Sequence, residues 1–138
     1  MSRLRWSEEN TIYIPEVDAE HRSLYLLAAD LKRALANGAG AEEIDGKVRA
    51  LLAEVEDHFT HEERLMRAAK YAMIDWHKGL HDTLRKRATL YAGRIHAGDR
   101  KAGRELIDFA SRWLEDHMAV ADKMMGAALR NHRRSRAA

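Results

Sequence analysis

Six side chains able to ligate a metal fall where a helical protein would be expected to place apolar ones. His58 and Glu62 are four residues apart, His77 and His81 repeat that spacing, and His21 and His117 lie in two further segments. A separation of four puts two side chains on one helix face, a turn apart. An imidazole pair so spaced can chelate a single ion. The donors are nitrogen and carboxylate oxygen, and the chain has no cysteine. Such a set suits iron, manganese, zinc or copper and excludes thiolate sites. Taken singly, each has a plainer reading. A histidine on an apolar stripe is more often a hydrogen-bonded core residue, and a His–Glu pair is worth a few tenths of a kcal/mol. Together they are harder to explain, because leaving a polar group unpaired in a core costs about 1–3 kcal/mol. Inward-facing ligands in four segments need a common partner, and a central metal site supplies one. His61 is a weaker candidate, beside the stripe. His96 and His132 read as solvated. Met66, Met73, Met118, Met124 and Met125 read as core filler.

Four helices are expected to carry these residues. His21, Leu24, Ala28, Leu31 and Leu35 step by three or four after Asp18, which reads as an N-cap, and Asn37–Gly40 ends that helix. The second begins near Ala41 with the stripe Ile44, Val48, Leu51, Val55, His58, Glu62, Leu65, and fades around Ala68–Tyr71. The third runs from about Ile74 to Ala97 with His77, His81, Leu84, Ala88, Tyr91 and Ile95 inward. The fourth starts near Arg100 and continues past Leu129, with Leu106, Ala110, Trp113, His117, Val120 and Met124 on its stripe. Short connections make sequential helices antiparallel neighbours, so the expected fold is all-α, an up-down-up-down four-helix bundle. The expected organisation is a single domain over 1–138: an extended arm at 1–17, the bundle at 18–130 and a frayed basic tail at 131–138.

Composition narrows the function classes. Of 138 residues 46% are hydrophobic and 33% charged, which excludes disorder through low hydrophobicity. Lys and Arg number 24 against 22 Asp and Glu, for a net charge of +2. Only the stretch from Arg130 to Arg136 is locally basic, so no nucleic-acid partner is expected. No apolar run approaches a membrane span, and no apolar stretch follows the basic start as in a secretory signal. The expectation is a soluble, cytoplasmic protein without a membrane partner.

The motifs resemble those of the hemerythrin family, most closely its single-domain bacterial members. They are Asp18-Ala19-Glu20-His21 after Ile14-Pro15-Glu16-Val17, His58-Phe59-Thr60-His61-Glu62-Glu63, His77-Lys78-Gly79-Leu80-His81, and Trp113-Leu114-Glu115-Asp116-His117 followed by Asp122. Trp6 in the arm also fits, and the likeness covers roughly Trp6 to Leu129. The resemblance implies a centre of two iron ions joined by an oxo or hydroxo bridge. It implies His77, His81 and His117 on one iron, His21 and His58 on the other, and Glu62 and Asp122 bridging. Counted this way, one position stays open on the iron held by His21 and His58, where dioxygen would bind as peroxide. Leu114, with Phe59 and Trp113, is the candidate lining of the dioxygen pocket. Met118 stands where the family often has isoleucine. Asp122 does not follow from periodicity: five residues after His117, it lies about 140° away on an ideal helix. The resemblance therefore implies a π-bulge or irregular turn between the two.

The implied function is reversible dioxygen binding, for carriage, storage or delivery, by a protein that is not an enzyme. Five neutral imidazoles and two carboxylates form a less anionic set than the carboxylate-rich di-iron oxidases, which favours binding over oxygen activation. The partners expected are dioxygen and an oxygen-consuming enzyme or signalling protein, with the chain itself a monomer. The alternatives are an oxygen- or redox-sensing module acting on a separate partner, or a di-iron enzyme of peroxide or nitric-oxide chemistry. No acid–base dyad outside the ligands supports the enzyme.

Overall fold

A computed structural model describes residues 6–137. The first five residues of the expected arm and the last of the expected tail lie outside it. A single 3-10 turn, Glu8–Asn10, precedes helices α1 (Pro15–Ala36), α2 (Ala41–Ala68), α3 (Ile74–His96), α4 (Arg100–Ala119) and α5 (Ala121–Ala137). Helices α1 to α4 pack in sequence order, and α4 closes the ring against α1. This is the four-helix bundle, with α5 prolonging the fourth arm and packing against α4 and α2. Among the described residues there is no strand, and no helix is long and apolar enough to cross a membrane.

The three loops close their helices in one way. Ala39, Tyr71 and Asp99 donate their backbone N–H groups to the carbonyls of Ala34, Met66 and Arg94, each after a residue in the left-handed region. That residue is Gly38 in the first loop and Gly98 in the third, as the C-terminal capping motif prefers. In the second it is Lys70, with φ of 53°. The chain turns there despite the steric penalty on a side chain.

Both ends of the chain differ from the sequence expectation. Helix α1 starts at Pro15, three residues before Asp18. Proline has its φ preset for the first helical turn and no N–H to leave unpaired there. Asp18 is not the cap. Its buried carboxylate accepts from the Ile12 N–H at 2.9 Å and ties the arm back onto the helix. The expected frayed tail is helical as far as Ala137. Arg130 donates to the Ile12 carbonyl and Arg133 pairs with Glu16, so the arm and α5 hold each other. They cross at Gly126, where a Cβ would lie 2.8 Å from that of Ile12.

The fourth arm is not one continuous helix. Val120, with φ −122° and ψ −69°, interrupts it as an irregular turn. The break lies between His117 and Asp122, where the resemblance implied an irregularity, and it is a turn rather than a π-bulge.

The apolar core is split in two. One cluster holds Leu24, Leu31, Val48, Leu51, Val55, Phe59, Leu84, Leu106, Leu114 and Met118 among others. The second holds Ile12, Ile14, Val17, Met66, Met125 and Leu129. The polar residues lie between them. His21 falls between Val17 and Leu24 on α1, Glu62 between Phe59 and Met66 on α2, and Asp122 between Met118 and Met125 on the fourth arm.

Candidate metal centre

All seven side chains nominated as ligands are buried in this layer, none more than 6% exposed. The five imidazoles present their Nε2 atoms to the two carboxylates. Glu62 Oε1 lies 3.3 Å from His77 Nε2 and 3.1 Å from His81 Nε2. Its other oxygen, Oε2, lies 3.3 Å from His21 Nε2 and 3.0 Å from His58 Nε2. Asp122 repeats the division. Oδ1 is 3.3 Å from His77 and 3.0 Å from His117, while Oδ2 is 3.2 Å from His21. Glu62 thus turns one oxygen to His77 and His81 and the other to His21 and His58, and Asp122 turns one to His77 and His117 and the other to His21. Donor atoms of Glu62, His77, His81 and His117 form one compact group, and those of His21, His58 and Glu62 a second. The turn at Val120 brings Asp122 into the layer, a placement that a regular helix would have denied it.

Contacts away from the layer fix which nitrogen faces inward. A carboxylate only accepts, so the imidazole nitrogen beside one carries the proton. His58 Nδ1–H donates to Glu20 Oε1 at 2.7 Å, and His81 Nδ1–H donates to Glu63 Oε2 at 2.8 Å. These bonds orient the rings and make Nε2 the nitrogen of each that faces the layer. Beyond them, Glu20 accepts from His61 at 2.8 Å. Glu63 accepts from Arg85 Nη1 at 2.8 Å. The weaker candidate His61 therefore stands behind His58, with Glu20 between them. Glu20, Glu63 and Arg85 were not singled out by the sequence. Glu20 and Glu63 lie within the motifs, beside His21 and Glu62, whereas Arg85 carries no signal beyond standing one helical turn after His81. Aromatic rings brace the three-imidazole end. Phe59 stacks on His81 with centroids 3.8 Å apart and planes at 3°, and Trp113 stacks on His117 at 4.3 Å and 15°. Leu114 is buried in the larger apolar cluster.

The electrostatics are those of two buried anions in search of cations. Burial opposes the charge of Glu62, yet the surrounding imidazoles hold its carboxyl well below the usual range. Burial and the Glu62 charge push Asp122 upward, but His117 and His21 prevail and hold it low as well. Burial disfavours the protonated rings, but the carboxylates outweigh it. His21 and His77 are raised to about 9 and His58 to about 10. At His117 burial prevails and the pKa is lowered.

Hydrogen bonding leaves the layer incomplete. His81 Nε2, His117 Nε2 and both Asp122 oxygens are buried with no hydrogen-bond partner among the described residues, although they lie close to opposing donors and acceptors. Convergent lone pairs of this kind are what a metal ion satisfies. The donor chemistry, imidazole nitrogen with carboxylate oxygen, fits iron among others.

An all-helical bundle with a buried His/Glu metal-binding cluster defines the class of protein. Residues 13–129 match the hemerythrin HHE cation binding domain, and the chain belongs to the hemerythrin family. It is 28% identical to a bacteriohemerythrin of Ralstonia nicotianae, covering 91% of this chain and 88% of that one. A bacteriohemerythrin of Pseudomonas paraeruginosa is 31% identical, over 88% and 78%. A solved hemerythrin carrying a leucine-to-alanine substitution superposes with a TM-score of 0.79 at 26% identity, covering 94% of this chain and 98% of that one.

Proposed function

We propose that this protein is a non-haem di-iron protein that binds dioxygen reversibly, acting in its carriage, storage or delivery rather than as an enzyme. The observation that carries the reading is the unequal division of donors about the two carboxylates. Three imidazoles and two carboxylate oxygens face one side, and two imidazoles and two carboxylate oxygens face the other. In this reading His77, His81 and His117 hold one iron, His21 and His58 hold the other, and Glu62 and Asp122 serve both. The side with one donor fewer has room for an external ligand. When bound, the irons supply the electrons and the open position that dioxygen uptake requires.

The chain's own residues do the rest. Glu20 and Glu63 hold the Nδ1 protons of His58 and His81, so that Nε2 is the nitrogen that a metal would take, displacing any proton it carries. Phe59 and Trp113 fix two rings by stacking and, with Leu114, keep water from the centre, which slows irreversible oxidation. The names of the relatives support the same reading. A monomeric, cytoplasmic, single-domain protein completes it, and the lack of cysteine suits a reducing compartment.

The test is the visible spectrum of the anaerobic iron(II) protein on adding dioxygen and then purging it. A charge-transfer band that appears and vanishes is the expected result. Immediate irreversible oxidation, or no band, would overturn carriage and favour the sensing or enzymatic alternatives.

A further inference from the structure

Arg85 touches no ligand of the proposed centre, yet it reaches one of them along two paths. The first is through the edge of the ring. Its Nη1 donates to Glu63 Oε2 at 2.8 Å, and that same oxygen accepts from His81 Nδ1 at 2.8 Å. The second is through the face. The Arg85 guanidinium lies 5.2 Å from the centroid of Phe59, and the Phe59 ring stacks on that of His81 at 3.8 Å. The guanidinium is itself fixed by Glu56, at 2.8 Å from Nε, and by Asp82, at 3.0 Å from Nη1. A planar fork held at several donors loses little freedom, and a lysine would not reproduce it. His81 is thereby held edge-on by Glu63 and face-on by Phe59, and Arg85 contacts both.

We propose that Arg85 is a positioning residue for the metal centre, which through Glu63 sets how strongly the His81 imidazole donates and through Phe59 fixes its plane. This rests on the reading of His81 as a ligand. A carboxylate behind a ligating imidazole raises its basicity, and its partners tune that effect. Arg85 draws the Glu63 charge away from His81, so the imidazole donates less than it would beside a free carboxylate. Removing the arginine strengthens the donor and deletes a positive charge near the centre. Both effects stabilise the more highly charged, oxidised metal. Removing the carboxylate does the reverse. The two substitutions must therefore act with opposite sign, which loss of packing alone would not produce.

The experiment compares the iron-loaded wild type with Arg85→Gln, Glu63→Gln, the double variant and Arg85→Lys, measuring the midpoint potential and iron(II) affinity. Arg85→Gln is expected to lower the potential and Glu63→Gln to raise it. The double variant should lie close to Glu63→Gln, because Arg85 acts through that carboxylate, and Arg85→Lys should stay nearer wild type than Arg85→Gln. Iron(II) affinity should fall by about 10–100-fold in Glu63→Gln, the range for loss of such a partner. Potentials that shift in the same direction, or not at all, would overturn the proposal, as would a double variant whose shift is the plain sum of the two single ones. If Arg85→Gln does not fold, Arg85→Lys decides the matter, since a potential at or above that of wild type would overturn the proposal. A wild type that binds no iron would instead overturn the metal reading itself, so the two failures are distinct.

Discussion

His58 and His81 each donate through Nδ1 to a glutamate, but the glutamates differ in what holds them. Glu20, behind His58, is 32% exposed and shared with His61, a side chain 23% exposed. Glu63, behind His81, is 8% exposed and gripped by Arg85, which carries its charge at any working pH. Aromatic faces sharpen the contrast: Phe59 and Trp113 stack on His81 and His117, while His21 and His58 meet each other edge-on at 4.6 Å. One end of the polar layer is braced by a fixed cation and two rings, and the other is joined to the surface through titratable groups. In the proposed reading the braced end is the coordinatively full one, and the softer end is where an external ligand enters. Rigidity is placed where geometry must not change and adaptability where it must.

The strongest challenge to this division is to remove the residue both ends share. Glu62→Gln should abolish binding of the second ion, as counted by metal analysis. It should also lower the stability of the metal-free protein by about 3–5 kcal/mol in denaturant unfolding, the effect of stripping one partner from a buried charge cluster. A variant that kept two ions would break the comparison. Next in size, His58→Ala and His81→Ala should part company. The first is expected to leave one tightly held ion at the three-imidazole end, and the second to weaken that ion. Equal losses in calorimetric titration would show the ends to be equivalent.

Proton linkage gives a third test, on the metal-free protein. His21, His58 and His77 have folded pKa values of about 9, 10 and 9, above their ordinary value near 6.5. The stability they contribute is fully present below about pH 6.5 and is lost as the pH rises through 9 to 10. His117 is shifted the other way, so it costs stability only as the pH falls below about 6.5, outside that range. Thermal unfolding midpoints should therefore fall across that range. Metal loading at pH 7 should release protons, seen as a binding heat that depends on the buffer. A flat profile would contradict the imidazole–carboxylate electrostatics. A smaller effect is expected from Glu20→Gln, whose loss of metal affinity should be less than that of Glu63→Gln, because Glu20 is the more exposed. The smallest belongs to Lys70→Gly, which touches neither end. Relief of the left-handed backbone, offset by the entropy of glycine, should raise stability by less than about 1 kcal/mol and leave metal content unchanged.

How much of this was legible in the sequence depended on whether the signal was periodic. His21, His58, Glu62, His77, His81 and His117 stand out because regular helices carry them on apolar stripes at steps of three and four. The bundle followed from the same stripes. Asp122 was invisible to that reasoning because the helix breaks at Val120, so its position became legible only through family likeness. Glu20, Glu63 and Arg85 act from positions flanking the stripes, where a charged residue is the ordinary solvated one and spacing carries no warning. The ends of the chain depart from the sequence expectation for a related reason. Pro15 starts a helix as readily as it ends a strand, and the arginines of the tail are ordered by partners at Ile12 and Glu16, more than a hundred residues away.

The central claim is that two unequal ligand sets share Glu62 and Asp122. Anaerobic iron(II) titration of the metal-free protein tests it most directly, with the bound metal counted per chain. The account predicts two ions per chain, the first held more tightly, and a second site lost in both His58→Ala and Glu62→Gln. Saturation at a single ion, or two ions unaffected by those substitutions, would contradict it.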